Sequence, residues 1–186
     1  ICIKGLSFHL PGGFVVDYIG SKDNHPTKCR GEEVVRKILN EHIIIRTSWL
    51  YSEFGNNFFN TMMRLTRQKN EISVVNDQVG CPTYAMDLAE WICKIVDNRL
   101  FVDNYGTYHY SNEGICTWYD FAQMIKEMYN KMKGNLEINI NPIRSNQYKT
   151  PAQRPSYSVL DKTKIKETFR ISIPYWTKKI KKCSNC

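Results

Sequence analysis

The run Ile43-Ile44-Ile45 constrains this chain more than any other feature. Three consecutive β-branched residues leave no polar face for solvent, the pattern of a strand covered on both sides in a parallel sheet. The run follows residues 31–40, where Val34, Val35, Ile38 and Leu39 recur at helical spacing. Helix then buried strand is half of an alternating α/β unit. Residues 43–46 are therefore expected to form a strand buried on both faces.

The rest of the chain extends the alternation. Phe14-Val15-Val16 after Pro11-Gly12-Gly13 reads as a strand, 49–57 as a loop, and 58–67 as a helix with Phe58, Phe59, Met62, Met63 and Leu65 as its apolar stripe. Residues 72–75 read as a strand and 76–83 as a polar loop closed by Pro82. An amphipathic helix over 85–97 carries Asp87 and Glu90 toward its N-terminal end, where acids suit the helix dipole. A strand at 106–110 precedes a helix starting at Thr117, whose Thr-x-x-Asp resembles a capping box. Residues 136–143 read as a strand, 162–169 as a short helix, and a Lys-rich helix starts near 174.

Composition removes several classes. The chain has 186 residues, 12% of them aromatic, with no repeat or low-complexity run, so collagen-like, coiled-coil and disordered readings fall away. No apolar run approaches the roughly 18 residues of a membrane span, and no signal segment is visible. Seven scattered cysteines fit a reducing compartment better than a disulfide framework, and the expectation is a soluble, cytoplasmic protein. Cys183 and Cys186 form a CxxC read as loose thiols on a tail. The four His and seven Cys offer no metal constellation. The first residue is Ile, which points to a fragment or an incomplete reading frame. Residues 1–125 carry 12 basic and 14 acidic side chains, residues 126–186 carry 14 and 4. Such a basic lobe suits an anionic ligand. Nucleic acid is not expected, because no interleaved aromatic–basic motif accompanies the charge.

Several segments, taken in order, carry an identity that none carries alone. They are Arg46-Thr47-Ser48-Trp49-Leu50-Tyr51 and Gly55-Asn56-Asn57-Phe58; Asp77-Gln78-Val79-Gly80-Cys81-Pro82-Thr83 and Asp87-Leu88-Ala89; Gly106-Thr107-Tyr108-His109, Thr150-Pro151-Ala152-Gln153-Arg154-Pro155 and Leu160-Asp161-Lys162-Thr163-Lys164. The series resembles the C-terminal half or more of the dTDP-4-dehydrorhamnose reductase family, within the extended short-chain dehydrogenase/reductase superfamily, over roughly residues 28–182. The resemblance implies an α/β chain: a partial, doubly wound, Rossmann-like NAD(P)-binding fold with a smaller substrate-binding lobe. Residues 1–48 would be a remnant of the dinucleotide-binding domain. Residues 49–182 would be the substrate-binding part with the last Rossmann elements, and 183–186 a tail.

The implied activity is reduction of the 4-keto group of dTDP-4-dehydro-L-rhamnose by NADPH or NADH. The implied partner is a dTDP-sugar, with no membrane; the resemblance leaves a homodimer and magnesium dependence open. A family Tyr donates a proton to the carbonyl oxygen, and a Lys four residues later binds the nicotinamide ribose and lowers the Tyr pKa. Lys28 matches that Lys, in both its catalytic and its cofactor-binding capacity. The position four before it holds Asn24, which cannot donate as a phenol does. Tyr18 and Lys22 form a Y-x-x-x-K six residues earlier. Alternatively, Val16-Asp17-Tyr18 ends the family's preceding strand, with a deletion before Lys28. All three alignments stay open.

The glycine-rich βα turn that cradles a pyrophosphate has no counterpart, and neither do roughly the first hundred family residues. A non-catalytic nucleotide-binding or regulatory paralogue on the same scaffold is thus the alternative. Candidate substrate contacts are Trp49, which would flank the sugar, then Asn56, Asn57, Gln78, Thr83 and Arg154. Arg154 would pair with the diphosphate, since its planar fork suits phosphate oxygens. Each has a structural alternative: Trp49 packing on the core, Asn56 and Asn57 capping a helix, Gln78 and Thr83 shaping a turn, Lys28 solvated near a helix start. His109 reads as a structural histidine.

Overall fold

The triple-isoleucine strand lies at the centre of a parallel sheet. In the computed structural model residues 14–18, 26–134, 137–148 and 154–180 are described. The chain runs β1 (Phe14–Tyr18), α1 (Pro26–Ile38), β2 (Ile43–Thr47), β3 (Leu50–Tyr51), α2 (Phe58–Gln68), β4 (Glu71–Val75), β5 (Val79–Gly80), β6 (Thr83–Tyr84), α3 (Ala85–Asp97), β7 (Gly106–His109), β8 (Cys116–Thr117), α4 (Trp118–Lys133), β9 (Asn139–Ile143), α5 (Thr163–Phe169) and α6 (Trp176–Ile180). Strand β2 lies between β1 and β7, parallel to both, with Tyr18 opposite Thr47 and Arg46 opposite His109.

Ile43, Ile44 and Ile45 are each at most 1% exposed, as a two-sided strand requires. Successive side chains alternate between faces. Ile43 and Ile45 join a core with Leu88 and Ile95 of α3, Tyr108 of β7 and Ile165 of α5. On the opposite face Arg46 meets α1 through a charge pair: Glu32, only 5% exposed, accepts from Arg46 Nε at 2.8 Å and Nη2 at 2.6 Å, and also from Arg36. This pair displaces the apolar stripe expected on α1. Val34 and Ile38 are 52% and 72% exposed, because Glu32 takes the inward position.

A second core forms where α2 and α4 meet the parallel pair β4–β9, around Phe59, Met62, Ile72, Phe121, Ile125, Met128 and Ile140. Helix α4 is capped as its sequence indicates: the Thr117 hydroxyl accepts from the Asp120 backbone N–H, and the Asp120 carboxylate accepts from the Thr117 N–H.

Several boundaries differ from the sequence reading. Helix α1 begins at Pro26 rather than residue 31, since a proline in the first turn gives up an N–H that has no partner there anyway. The stretch 49–57 holds β3, and 76–83 is no simple polar loop: it contains β5 and the start of β6, and Cys81 and Thr83 are wholly buried. The last strand is shorter than 136–143, beginning at Asn139. The Pro11-Gly12-Gly13 segment, Lys22, Asn24, residues 149–153 and the CxxC tail lie outside the described residues.

Truncating Ile44 to Ala removes buried methyl groups at the sheet centre and is expected to cost about 2–5 kcal/mol. Urea unfolding of wild type and variant measures it; a loss below about 1 kcal/mol would contradict burial on both faces.

Candidate functional site

Parallel strands bring their carboxyl ends to one edge, where α/β folds collect ligands. Tyr18, Thr47 and His109 end or lie near the ends of β1, β2 and β7 there, and the chain leaves β2 through Ser48 into Trp49. Trp49 takes a left-handed backbone conformation, φ +49°. For a bulky non-glycine residue this costs about 1–3 kcal/mol and persists only where the surroundings impose it.

The surroundings do impose it. The Trp49 carbonyl accepts from the Thr83 backbone N–H at 3.1 Å. The Thr83 hydroxyl donates to the Ser48 carbonyl at 2.6 Å and accepts from the Thr47 hydroxyl at 3.3 Å. The Trp49 indole stacks on Trp118, with ring centroids 3.5 Å apart and planes 9° from parallel. Over the ring on its other side lies Gly80, where an added Cβ would come within 2.4 Å of Trp49 Cε2. Only glycine lets the backbone of β5 come this close. Trp49 is left 7% exposed.

Asn57 is the N-cap of α2. Its side-chain oxygen accepts from the Asn60 N–H at 3.0 Å, and its amide nitrogen donates to the carbonyls of Ser52 and Phe54. Asn60 donates to the carbonyls of Ser52, Glu53 and Gly55, so two asparagines satisfy the loop after β3. Tyr84 Oη donates to Glu53 of the same loop at 2.5 Å. Asn56 stands exposed on it.

Residues 145, 156 and 158 are tied to residues 77–79. Asp77 accepts from the Ser145 backbone N–H and hydroxyl, and Gln78 Nε2 donates to the Ser145 hydroxyl at 2.9 Å. Val79 N–H donates to the Ser156 carbonyl at 2.7 Å, and Ser158 N–H to the Val79 carbonyl at 2.8 Å. Arg154, exposed, lies two residues before Ser156 and so at the Gln78–Val79 edge.

The structure thus places Trp49, Gln78 and Thr83 on adjoining strand ends and carries Arg154 to the same edge. Asn57 and Thr83 have their polar atoms engaged within the protein. Tyr18 ends β1 beside Thr47, and Lys28 lies in the first turn of α1; their side chains lie outside the described residues. His109 Nδ1 lies 3.2 Å from the Asp161 carbonyl, and burial, followed by the nearby Arg46 charge, lowers its pKa. Sequence reasoning missed the roles of Gly80 and Trp118. The signal was a lone glycine between Val79 and Cys81, which marks a close backbone approach.

No group of three or more His, Cys, Asp or Glu among the described residues could hold a metal ion. The glycines with positive φ, Gly55, Gly106, Gly114 and Gly134, lie at no strand–turn–helix with dinucleotide spacing. The described residues therefore do not fit the pyrophosphate of a dinucleotide.

Residues 25–185 match the family described as the RmlD substrate binding domain. The chain belongs to that family. It is 43% identical over 141 residues to the spore coat polysaccharide biosynthesis protein SpsK of Bacillus subtilis (strain 168), covering 76% of this chain and 46% of that protein. It is 37% identical over 161 residues to dTDP-4-dehydrorhamnose reductase of Escherichia coli (strain K12), covering 86% and 54%. Among solved structures, dTDP-4-dehydrorhamnose reductase from Bacillus anthracis str. Ames in complex with NADP superposes with a TM-score of 0.78 at 34% identity, covering 96% of this chain and 61% of that one. The chain spans about half the length of the curated relatives it matches. The family match takes in Trp49, Gln78 and Arg154.

The Ser145 hydroxyl, then its backbone N–H, hold the Asp77 carboxyl below its ordinary value of 3.8. A lowered carboxyl contributes above its ordinary pKa and loses its contribution as pH falls through the lowered value. The Ser145 amide resonance is expected to titrate below pH 3.8 and to stop titrating in Asp77→Asn. A Ser145 amide that ignores acid in the wild type would contradict the clasp.

Proposed function

We propose that this chain is the substrate-binding part of a dTDP-4-dehydrorhamnose reductase, which reduces the 4-keto group of dTDP-4-dehydro-L-rhamnose with NADPH or NADH. The observation that carries the reading is Trp49, fixed in a left-handed conformation at the carboxyl end of β2 between Gly80 and Trp118, with Gln78 and Arg154 on the adjoining edge. Relatives named as this reductase support it.

Arg154 binds the diphosphate, Trp49 presents the remaining edge of its indole to the sugar, and Gln78 and Asn56 supply polar contacts. Asn57 and Thr83 act as supports, one fixing the loop after β3 and the other the turn after β2. Tyr18, which ends β1 opposite Thr47, and Lys28, in the first turn of α1, are the candidates for the proton donor and the nicotinamide-ribose contact. When bound, a nicotinamide cofactor supplies the hydride. No residue described here cradles its pyrophosphate, so this polypeptide alone binds it weakly.

A non-catalytic nucleotide-sugar-binding protein is the second reading, favoured by Asn24 four residues before Lys28. Turnover of dTDP-4-dehydro-L-rhamnose separates the two.

Calorimetry tests the site. The 186-residue chain is expected to bind both dTDP and dTDP-rhamnose, while NADPH fluorescence shows no saturation at low micromolar concentration. Losing a charge-assisted bond costs about 1.5–3 kcal/mol, so Arg154→Ala should weaken both nucleotides about tenfold or more. The effect should shrink at high salt. Unchanged affinity in Arg154→Ala would remove the diphosphate assignment, and no nucleotide binding by wild type would remove the whole reading.

A further inference from the structure

We infer that Trp118 is a positioning residue for sugar recognition: it forms, with Gly80, a clamp that fixes the plane of Trp49. The inference rests on the reading that Trp49 contacts the sugar of a dTDP-sugar.

The geometry is that of a ring held from two sides. Trp118 covers the Trp49 indole face to face, at 3.5 Å between centroids and 9° between planes. Gly80 lies over the opposite side of the ring, so close that even a methyl group would collide with Cε2, Cζ2 and Nε1. Trp118 is itself braced, because it opens α4 behind the Thr117 capping box and packs against Phe58, the first residue of α2, at 4.6 Å. Phe58 in turn stacks on Phe121 of the core, at 5.4 Å and 21°. A ladder of rings therefore runs from the core out to Trp49.

Trp49 needs such a brace. Its left-handed backbone is unfavourable, and its indole has two side-chain torsions that would otherwise swing. Covered from both sides, Trp49 is left 7% exposed. The direction in which its remaining open edge faces is set by Trp118. A sugar recognised at that edge depends on where the ring lies to within a few tenths of an ångström, whereas a diphosphate on Arg154 does not. Trp118 should therefore govern the difference between a nucleotide that carries the sugar and one that lacks it.

Calorimetry with dTDP-rhamnose and dTDP on the full 186-residue chain tests this. Trp118→Ala is expected to weaken dTDP-rhamnose about tenfold, the scale of one lost aromatic stacking pair. It should leave dTDP within about twofold, and Trp118→Phe, which keeps a flat ring, should recover most of the loss. Gly80→Ala pushes the indole from the other side and should give the same selective loss, so the inference stays testable if Trp118→Ala does not fold. Selective loss in these variants with recovery by Phe supports the clamp. Equal weakening of both ligands makes Trp118 merely structural and overturns it, as does unchanged dTDP-rhamnose affinity. If wild type binds dTDP and dTDP-rhamnose equally, the sugar role of Trp49 has failed first, and the clamp falls with it.

Discussion

The contact on which the candidate site depends is the approach of the Gly80 backbone to the Trp49 indole. It joins two stretches far apart in sequence: the exit of the central strand β2, and the short antiparallel pair β5–β8, whose second strand leads into α4. On either side of that approach Leu50 pairs with Thr83 in β3–β6 and Gly80 with Cys116 in β5–β8. A side chain at position 80 would have to displace the Trp49 indole. The buried hydroxyl of Thr83 and the stacked ring of Trp118 then fix the direction in which the chain leaves the sheet.

The C-terminal part is held to this frame by buried polar contacts as well as by the apolar side chains of Ile165, Trp176 and Ile180. Asn112, wholly buried, accepts from the Tyr84 N–H at 2.7 Å and donates to Asp87 at 2.7 Å and to the Pro174 carbonyl at 3.2 Å. Asp87 pairs with Lys179 of α6 at 2.7 Å, and Lys162, only 9% exposed, donates to the Asn112 carbonyl and pairs with Glu113. Buried charges are tolerable only when paired and hydrogen-bonded, and here they are. The basic excess of residues 126–186 is therefore partly structural: Lys162, Lys166 and Lys179 neutralise Glu113 and Asp87 and are not free to meet a ligand. Arg154 stands apart, exposed at the site edge.

How much of this was legible in the sequence varied with the range of the interaction. Local pattern announced β2, α3 and the capping box of α4, because burial on both faces, helical spacing and Thr-x-x-Asp are all written within a few residues. The inward face of α1 was misread. Its apolar residues suggested a stripe, while the inward position went to Glu32, whose partner Arg46 lies on another element. The stretch 76–83 was misread for a similar reason: its strands exist only through pairing with Thr117, Cys116 and Leu50. At the site, motif order pointed to Trp49, Gln78 and Arg154, and the helix start at Phe58 already allowed Asn57 to be a cap, as it is, yet nothing local revealed that Trp118 lies against Trp49.

The central claim is that the carboxyl edge around Trp49 receives a dTDP-sugar. A crystal structure of this chain grown with saturating dTDP-rhamnose tests it most directly. The account predicts the diphosphate on Arg154 and the sugar within about 4 Å of the open edge of Trp49, with the Trp49–Trp118 stack intact. Nucleotide-sugar bound elsewhere on the molecule, or seated with neither Trp49 nor Arg154 in contact, would contradict it.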